Sequence, residues 1–372
     1  MYLIKNAEIF SPESEGLKDV LIAGGRIVAI DTSLSPNIPE LEVVDASGLK
    51  LVPGFIDQHV HLIGGGGEGG MHTRTPEFRL SSAIRAGVTT IVGLLGTDGY
   101  TRSIESLVAK TKALKNEGLS VFCLTGSYKY PPNTLTGSVD RDIAFIDEII
   151  GCKLAIADYR CSNPTRQEII RLASDIRMAS LVAGKPGVLH MHVGAGKEGI
   201  AEILDIVKSS NIPVRHFRPT HMENHPQQAI EFTKLGGYVD ITADPGDVDA
   251  LYDLICKADA ERLTMSSDSN GSIPKWNEKH ELIGIRIANM DTLFGTIRLL
   301  IKKKGLPPDK ALSLITSNVA KALNLYPQKG AVALGSDADL VLLDSDFKIH
   351  SVFAKGRAMM RNKEVLVKGV FE

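Results

Sequence analysis

Apolar and polar positions alternate differently at the ends of the chain and in its middle. Near the start, apolar runs at residues 3–10, 19–23 and 26–30 are short, and the last two are joined by Gly24-Gly25. Two apolar runs around a two-glycine turn are a strong local signal for a β-hairpin. Similar runs return at residues 338–344, 349–356 and 364–369. Together the two ends predict one small β-domain, a β-sandwich built from residues 1–52 plus 334–372.

Between them, apolar segments recur at 51–61, 89–95, 120–128, 149–157, 188–193, 214–221, 238–243 and 263–268. Most are separated by stretches of helical periodicity, such as 77–86, 104–116, 166–183, 198–209 and 227–234, and a late helix over 308–323 leads back to the β-domain. Strand and helix alternating in this way over residues 53–333 predict an α/β architecture, a (β/α)8 TIM barrel rather than an open sheet. No solenoid-type repeat or low-complexity tract interrupts it.

Composition narrows the function classes. A net charge of -2 leaves no basic footprint for nucleic acid. No run of about 18 apolar residues is present to span a membrane. The start, Met1-Tyr2-Leu3-Ile4-Lys5-Asn6, lacks the layout of a secretory signal, so a cytoplasmic protein is expected. Cys123, Cys152, Cys161 and Cys256 show no CxxC spacing and read as reduced, mostly buried thiols.

The chemistry is concentrated at the predicted strand ends. In Pro53-Gly54-Phe55-Ile56-Asp57-Gln58-His59-Val60-His61, the two histidines are spaced to project from one side of a strand, which suits a metal. The glycines that follow, through Gly66, Gly67 and Gly70, let a ligand approach the backbone. Barrels keep their active sites at the C-terminal strand ends. Those ends here carry Tyr128, Lys153 followed by Asp158 and Arg160, His190 with His192, His221, and Asp268. Each has a plainer reading alone: a lysine that snorkels to solvent, a core histidine, an aspartate capping its own turn. Collectively they bring candidate metal ligands from several strands to one rim. A free ammonium there would repel a cation, so Lys153 is better explained as a carbamate, formed with CO2, that bridges two metals.

With these residues in place, the chain resembles the binuclear amidohydrolase superfamily. More narrowly it is similar to the isoaspartyl (β-aspartyl) dipeptidase family, on the stretch from Gly54 through Gly64-Gly65-Gly66-Gly67-Glu68, Thr73-Arg74-Thr75-Pro76-Glu77, Gly93-Leu94-Leu95-Gly96-Thr97-Asp98, Ser266–Ser272 and the tail Val367–Glu372. The resemblance implies two zinc ions, one held by His59 and His61 and the other by His192 and His221. N6-carboxylated Lys153 would bridge them and Asp268 would bind the first. A metal-bridging hydroxide would attack, Asp268 would act as general acid and base, and Tyr128 would donate to the developing oxyanion. Glu68 would pair with the substrate ammonium and Arg160 with a carboxylate, while Thr97, Ser272 and the backbone at Gly66 and Gly67 would supply neutral hydrogen bonds. Cobalt or manganese would also suit this donor set. The family commonly assembles into homo-oligomers.

One position departs from the family. Its second carboxylate-binding arginine, three residues after the strand-six histidine, is Asn224 here, with Arg218, Arg215 or His225 as candidate substitutes and His72 unassigned. Three functions are therefore carried forward: hydrolysis of the β-amide of isoaspartyl dipeptides, hydrolysis of a cyclic amide (dihydroorotase- or hydantoinase-like) or N-acyl amino acid, and a metal-free scaffold. The scaffold would be expected to lack ligands, and none is missing.

Overall fold

Strands from the two ends of the chain pair with each other. The computed structural model describes residues 1–278 and 282–372. Tyr2–Phe10, Ser14–Ala23 and Arg26–Asp31 pair antiparallel in succession. Lys50–Pro53 runs parallel to the first of them and antiparallel to Leu340–Leu343. Ile349–Ala354, Arg357–Arg361 and Glu364–Val365 extend the same sheet, and Glu42–Asp45 pairs with the first strand, making nine strands in all. Hydrogen bonding thus joins into one sheet the strands expected to form a sandwich. They enclose their own apolar cluster, with Ile4, Ile22, Ile27, Leu51, Leu342 and Phe353 buried in it.

Gly54 is the joint between this sheet and the rest. A Cβ there would lie 2.2 Å from Thr89 Oγ1, so a larger residue could not pass. Six parallel strands follow, each beside the next: Phe55–Val60, Val88–Gly93, Ser120–Gly126, Ile149–Ile156, Val188–Val193 and Phe217–Thr220. Val239–Thr242 and Leu263–Ser266 pair parallel as the seventh and eighth. The ring closes through a Val60–Ser269 bridge on one side, and on the other Thr220 Oγ1 donates to Asp240 Oδ2 at 2.8 Å. The result is a TIM-barrel-like fold with helices outside.

The helices Ile104–Asn116 and Arg166–Ala183 keep the bounds their periodicity predicts. The second starts with a capping box between Thr165 and Glu168, buries Ile169, Leu172 and Ile176 at helical spacing, and stops at Gly184 in the left-handed conformation. Each such side chain, once fully buried, contributes about 1.5–3 kcal/mol.

Three expectations change. The helix over 308–323 is broken into Pro308–Ser313 and Ser317–Ala322. The carbonyls of Leu314 and Ile315 are taken by the backbone N–H groups of Met265 and Ile56, which pull this segment out of helical pairing. Strand six begins at Phe217 rather than 214, because Val214–His216 is wound as a 3-10 turn held by His216 Nδ1 on the Gly187 carbonyl at 2.7 Å. An unanticipated hairpin, Ser272–Trp276 with Leu282–Ile287, stands beside the eighth strand's end. Among the described residues no helix is long and apolar enough to cross a membrane.

Candidate active site

His59 and His61 leave the first strand side by side, and both Nε2 atoms converge on Asp268 Oδ1, at 3.2 and 3.0 Å. Asp268 reaches them because it turns back after the eighth strand with φ 53. Donor atoms of these three residues all lie within 4.8 Å of one another. Lys153, fully buried in the fourth strand, places Nζ 3.4 Å from His59 Nε2. Burial lowers its ammonium pKa to about 7, so a neutral amine, the form that adds CO2, is accessible near neutral pH.

His192 and His221 complete the ring of imidazoles. Their centroids are 4.5 Å apart, and His221 lies 5.2 Å from His59. His221 Nδ1 is 2.7 Å from Thr242 Oγ1, which leaves Nε2 for the cavity. Both nitrogens of His192 are engaged: Nδ1 lies 2.6 Å from the Tyr128 hydroxyl and Nε2 2.9 Å from Asp158 Oδ2. Burial, with Lys153 nearby, holds His59 well below the usual imidazole range, and burial takes His192 down to about 4. Neutral imidazoles are the metal-binding form.

This donor set fits a metal at His59, His61 and Asp268, with Lys153 adjacent. The second pair, His192 and His221, is close by, but His192 must release one present partner to serve as a ligand. His190, noted in the sequence without a role, contacts His59 Nδ1 at 3.2 Å through Nε2 and orients it. Its position two residues before His192 was the available signal. Asp158, also unassigned, is held well below the carboxylate range. Burial alone would raise it, but Arg160 and His192 outweigh that.

A second set of polar contacts gathers on Glu68. Its Oε1 accepts from Ser272 Oγ at 2.5 Å, Arg160 at 3.2 Å and Thr97 Oγ1 at 3.4 Å. Its Oε2 is buried with no partner among the described residues. Arg160 also forks onto Asp158, at 2.9 and 2.8 Å. The phenol of Tyr128 is kept protonated by burial, as a hydrogen-bond donor requires. Gly66, at φ 78, lines the cavity, and a Cβ there would come 2.5 Å from the Thr73 carbonyl. Gly67 is not part of the cavity wall.

All of this opens into a cavity of about 1100 Å3, to which Asn224 also contributes. The proposed substitutes for its missing arginine do not reach. Arg218 is wholly buried, donating to Gln58 Oε1 at 2.8 Å and the Ala322 carbonyl at 3.0 Å. Arg215 lies in the turn before strand six, at the opposite end of that strand from His221. His225 is bonded to the Gly194 carbonyl at 2.9 Å, and His72 is exposed outside the cavity.

An eight-stranded barrel with imidazoles, a lysine and an aspartate on its rim defines a hydrolase of the amidohydrolase class, and the amidohydrolase family model matches residues 244–359. A crystal structure of a β-aspartyl dipeptidase from Fervidobacterium islandicum AW-1, in complex with β-Asp-Leu, is 44% identical in sequence, with a TM-score of 0.93 over 98% of both chains. The chain belongs to the β-aspartyl dipeptidase family of amidohydrolases, and it is a hydrolytic enzyme. Among curated relatives, a dihydroorotase from Listeria monocytogenes is 32% identical over 229 residues, covering 57% of this chain and 50% of that protein. The chain thus spans about half the length of that relative. A dihydroorotase from Elusimicrobium minutum is 24% identical over 92% of this chain and 88% of its own.

Proposed function

We propose that this enzyme hydrolyses the β-amide bond of isoaspartyl dipeptides. The observation that carries this reading is Glu68, whose Oε1 is held by Ser272, Arg160 and Thr97 while Oε2 is buried without a partner. A buried carboxylate oxygen with no donor costs about 1–3 kcal/mol or more. A substrate ammonium removes that cost, and dihydroorotate, hydantoins and N-acyl amino acids bring none. The likeness to a β-aspartyl dipeptidase over nearly the whole chain supports the same substrate class.

In this proposal His59, His61 and Asp268 would hold one zinc ion and His192 and His221 a second, with Lys153 contributing as its carbamate. Zinc, when bound, would supply Lewis acidity for the scissile carbonyl and for the attacking water. Asp268 Oδ1 is fixed between the two imidazoles, and no described residue bonds Oδ2, so Oδ2 is the atom that accepts the nucleophile's proton and passes it to the leaving nitrogen. The water oxygen becomes part of the new aspartate β-carboxylate, the C–N bond breaks, and the second amino acid leaves as its amine. Tyr128 donates its O–H to the carbonyl oxygen as charge builds there. Thr97 and Ser272 keep Glu68 aimed at the ammonium, and Arg160 lies against the carboxylate on the same substrate carbon.

A cyclic-amide hydrolase is the second reading, favoured by the dihydroorotase relatives and by Asn224, which cannot neutralise a carboxylate. Zinc-replete enzyme assayed on β-Asp-Leu, α-Asp-Leu, dihydroorotate and hydantoin separates the two. Selective turnover of β-Asp-Leu is expected, and turnover of only a cyclic amide would replace the proposal.

A further inference from the structure

Resting on the dipeptidase reading, we infer that Arg286, on the unanticipated hairpin, binds the carboxylate of the leaving residue and so takes the role that Asn224 cannot fill. Among the described residues lining the cavity, Arg160 and Arg286 are the only arginines or lysines, set against acids that include Glu68, Asp158, Asp244 and Asp268. Arg160 is held by Asp158 and Glu68 and, in the proposed function, serves the carboxylate beside the ammonium, which leaves the far carboxylate without a cation. Arg286 is exposed and lines the cavity, and among the described residues its side chain has no hydrogen-bond or ion-pair partner, so its five donors are available.

The hairpin's register sets the Arg286 backbone beside the site, with its side chain on the face it shares with Ile273, which also lines the cavity, and opposite to that of Ser272. Ser272 pairs with Ile287 and Ile273 with Arg286. Ser272 is also the residue that donates to Glu68 at 2.5 Å. One strand spacing and one residue step put the Arg286 backbone roughly 6 Å from that of Ser272. An extended dipeptide covers about 7 Å. With its ammonium on Glu68 and the neighbouring carboxylate on Arg160, an extended dipeptide that runs toward the hairpin brings its far carboxylate within reach of a guanidinium that can grip it with two parallel bonds. Asn224, on the same cavity wall system, can add one neutral bond but no charge.

The test compares kcat/KM on β-Asp-Leu and on β-Asp-leucinamide, which lacks the far carboxylate, for wild type, Arg286→Gln and Arg286→Lys. Wild type is expected to prefer the free carboxylate by about 10- to 100-fold, the range of a charged hydrogen bond. In R286Q that preference collapses towards unity, chiefly through KM, and R286K recovers part of it. Equal losses on both substrates, or a preference that survives in R286Q, overturn the inference while leaving the dipeptidase reading intact. A wild type with no preference overturns it too. A wild type that does not cleave β-Asp-Leu at all overturns the dipeptidase reading and this inference with it.

Discussion

The rim of the barrel and the interior just beneath it draw on the same strands and the same residue types, yet their polar groups end in opposite states. In the interior, Asp240 accepts four hydrogen bonds, from Thr220 and Ser266 on one oxygen and Gln58 and Thr264 on the other. Gln58 in turn accepts from Arg218, which also holds the Ala322 carbonyl and leaves only its Nε without a partner among the described residues. On the rim, Glu68 Oε2 and His61 Nδ1 are buried with no partner, and Lys153 is set among imidazoles. A buried polar group satisfied inside the protein fixes the structure, whereas one left open adds to its cost until a ligand arrives. The interior network is thus the support, and the rim is the part that the proposed function assigns to metal and substrate.

Substitutions should divide along the same line. Asp268→Asn removes the proposed proton carrier and metal ligand, and kcat on β-Asp-Leu should fall by about 100- to 10,000-fold, with the urea midpoint of the protein little changed or raised. A loss of stability matching the loss of rate would mean that the rim is structural after all. Glu68→Gln should lower kcat/KM on β-Asp-Leu by about 10- to 100-fold by weakening the grip on the ammonium. An equal effect on dihydroorotate would argue against that role.

Arg218→Met works from the other side. It strips the donors from Gln58 Oε1 and the Ala322 carbonyl and should destabilise the fold by about 3 kcal/mol, read as a shifted denaturation midpoint. Specific activity per folded molecule should survive at a temperature where the variant is folded, and its disappearance there would erase the distinction between interior and rim.

Asp57→Asn should have the smallest effect on activity, and its effect on stability is read as a pH dependence. Burial pushes the Asp57 carboxyl up to about 7. Between pH 4 and 7 it therefore binds a proton in the folded state that it has lost when unfolded. Its contribution is fully present below the unfolded pKa, declines as pH rises through that window, and is constant above about 7. The slope is at most about 1.4 kcal/mol per pH unit. Denaturation midpoints of the Asn variant and wild type, compared at pH 4.5 and 7.5, should diverge by the part of that slope Asp57 supplies. Parallel curves would show that Asp57 is ionised in the fold.

Much of this was legible in the chain because the relevant signals are local. His59 and His61 announce themselves by their spacing at a strand end, and helix 166–183 by its apolar period and its Thr-x-x-Glu cap. Other features are not local in sequence. The break near Thr316 comes from strand N–H groups at Ile56 and Met265 that take the carbonyls of Ile315 and Leu314. Arg218 looks like a substrate arginine beside His221, yet its side chain is buried among Gln58, Ala322 and Tyr238. Neither outcome has a local marker.

By itself, the sequence determined the strand and helix periodicities, the rim positions of the histidines, Lys153 and Asp268, and the family likeness, because each depends on residue type and short-range spacing. Only the tertiary structure decided which polar groups are already satisfied. It paired Arg160 with Asp158, turned both nitrogens of His192 to partners, left Glu68 Oε2 open, and brought Arg286 to the cavity from a hairpin 62 residues beyond Asn224. Satisfaction is a property of three-dimensional neighbours, and those are fixed by packing across the barrel rather than by order along the chain.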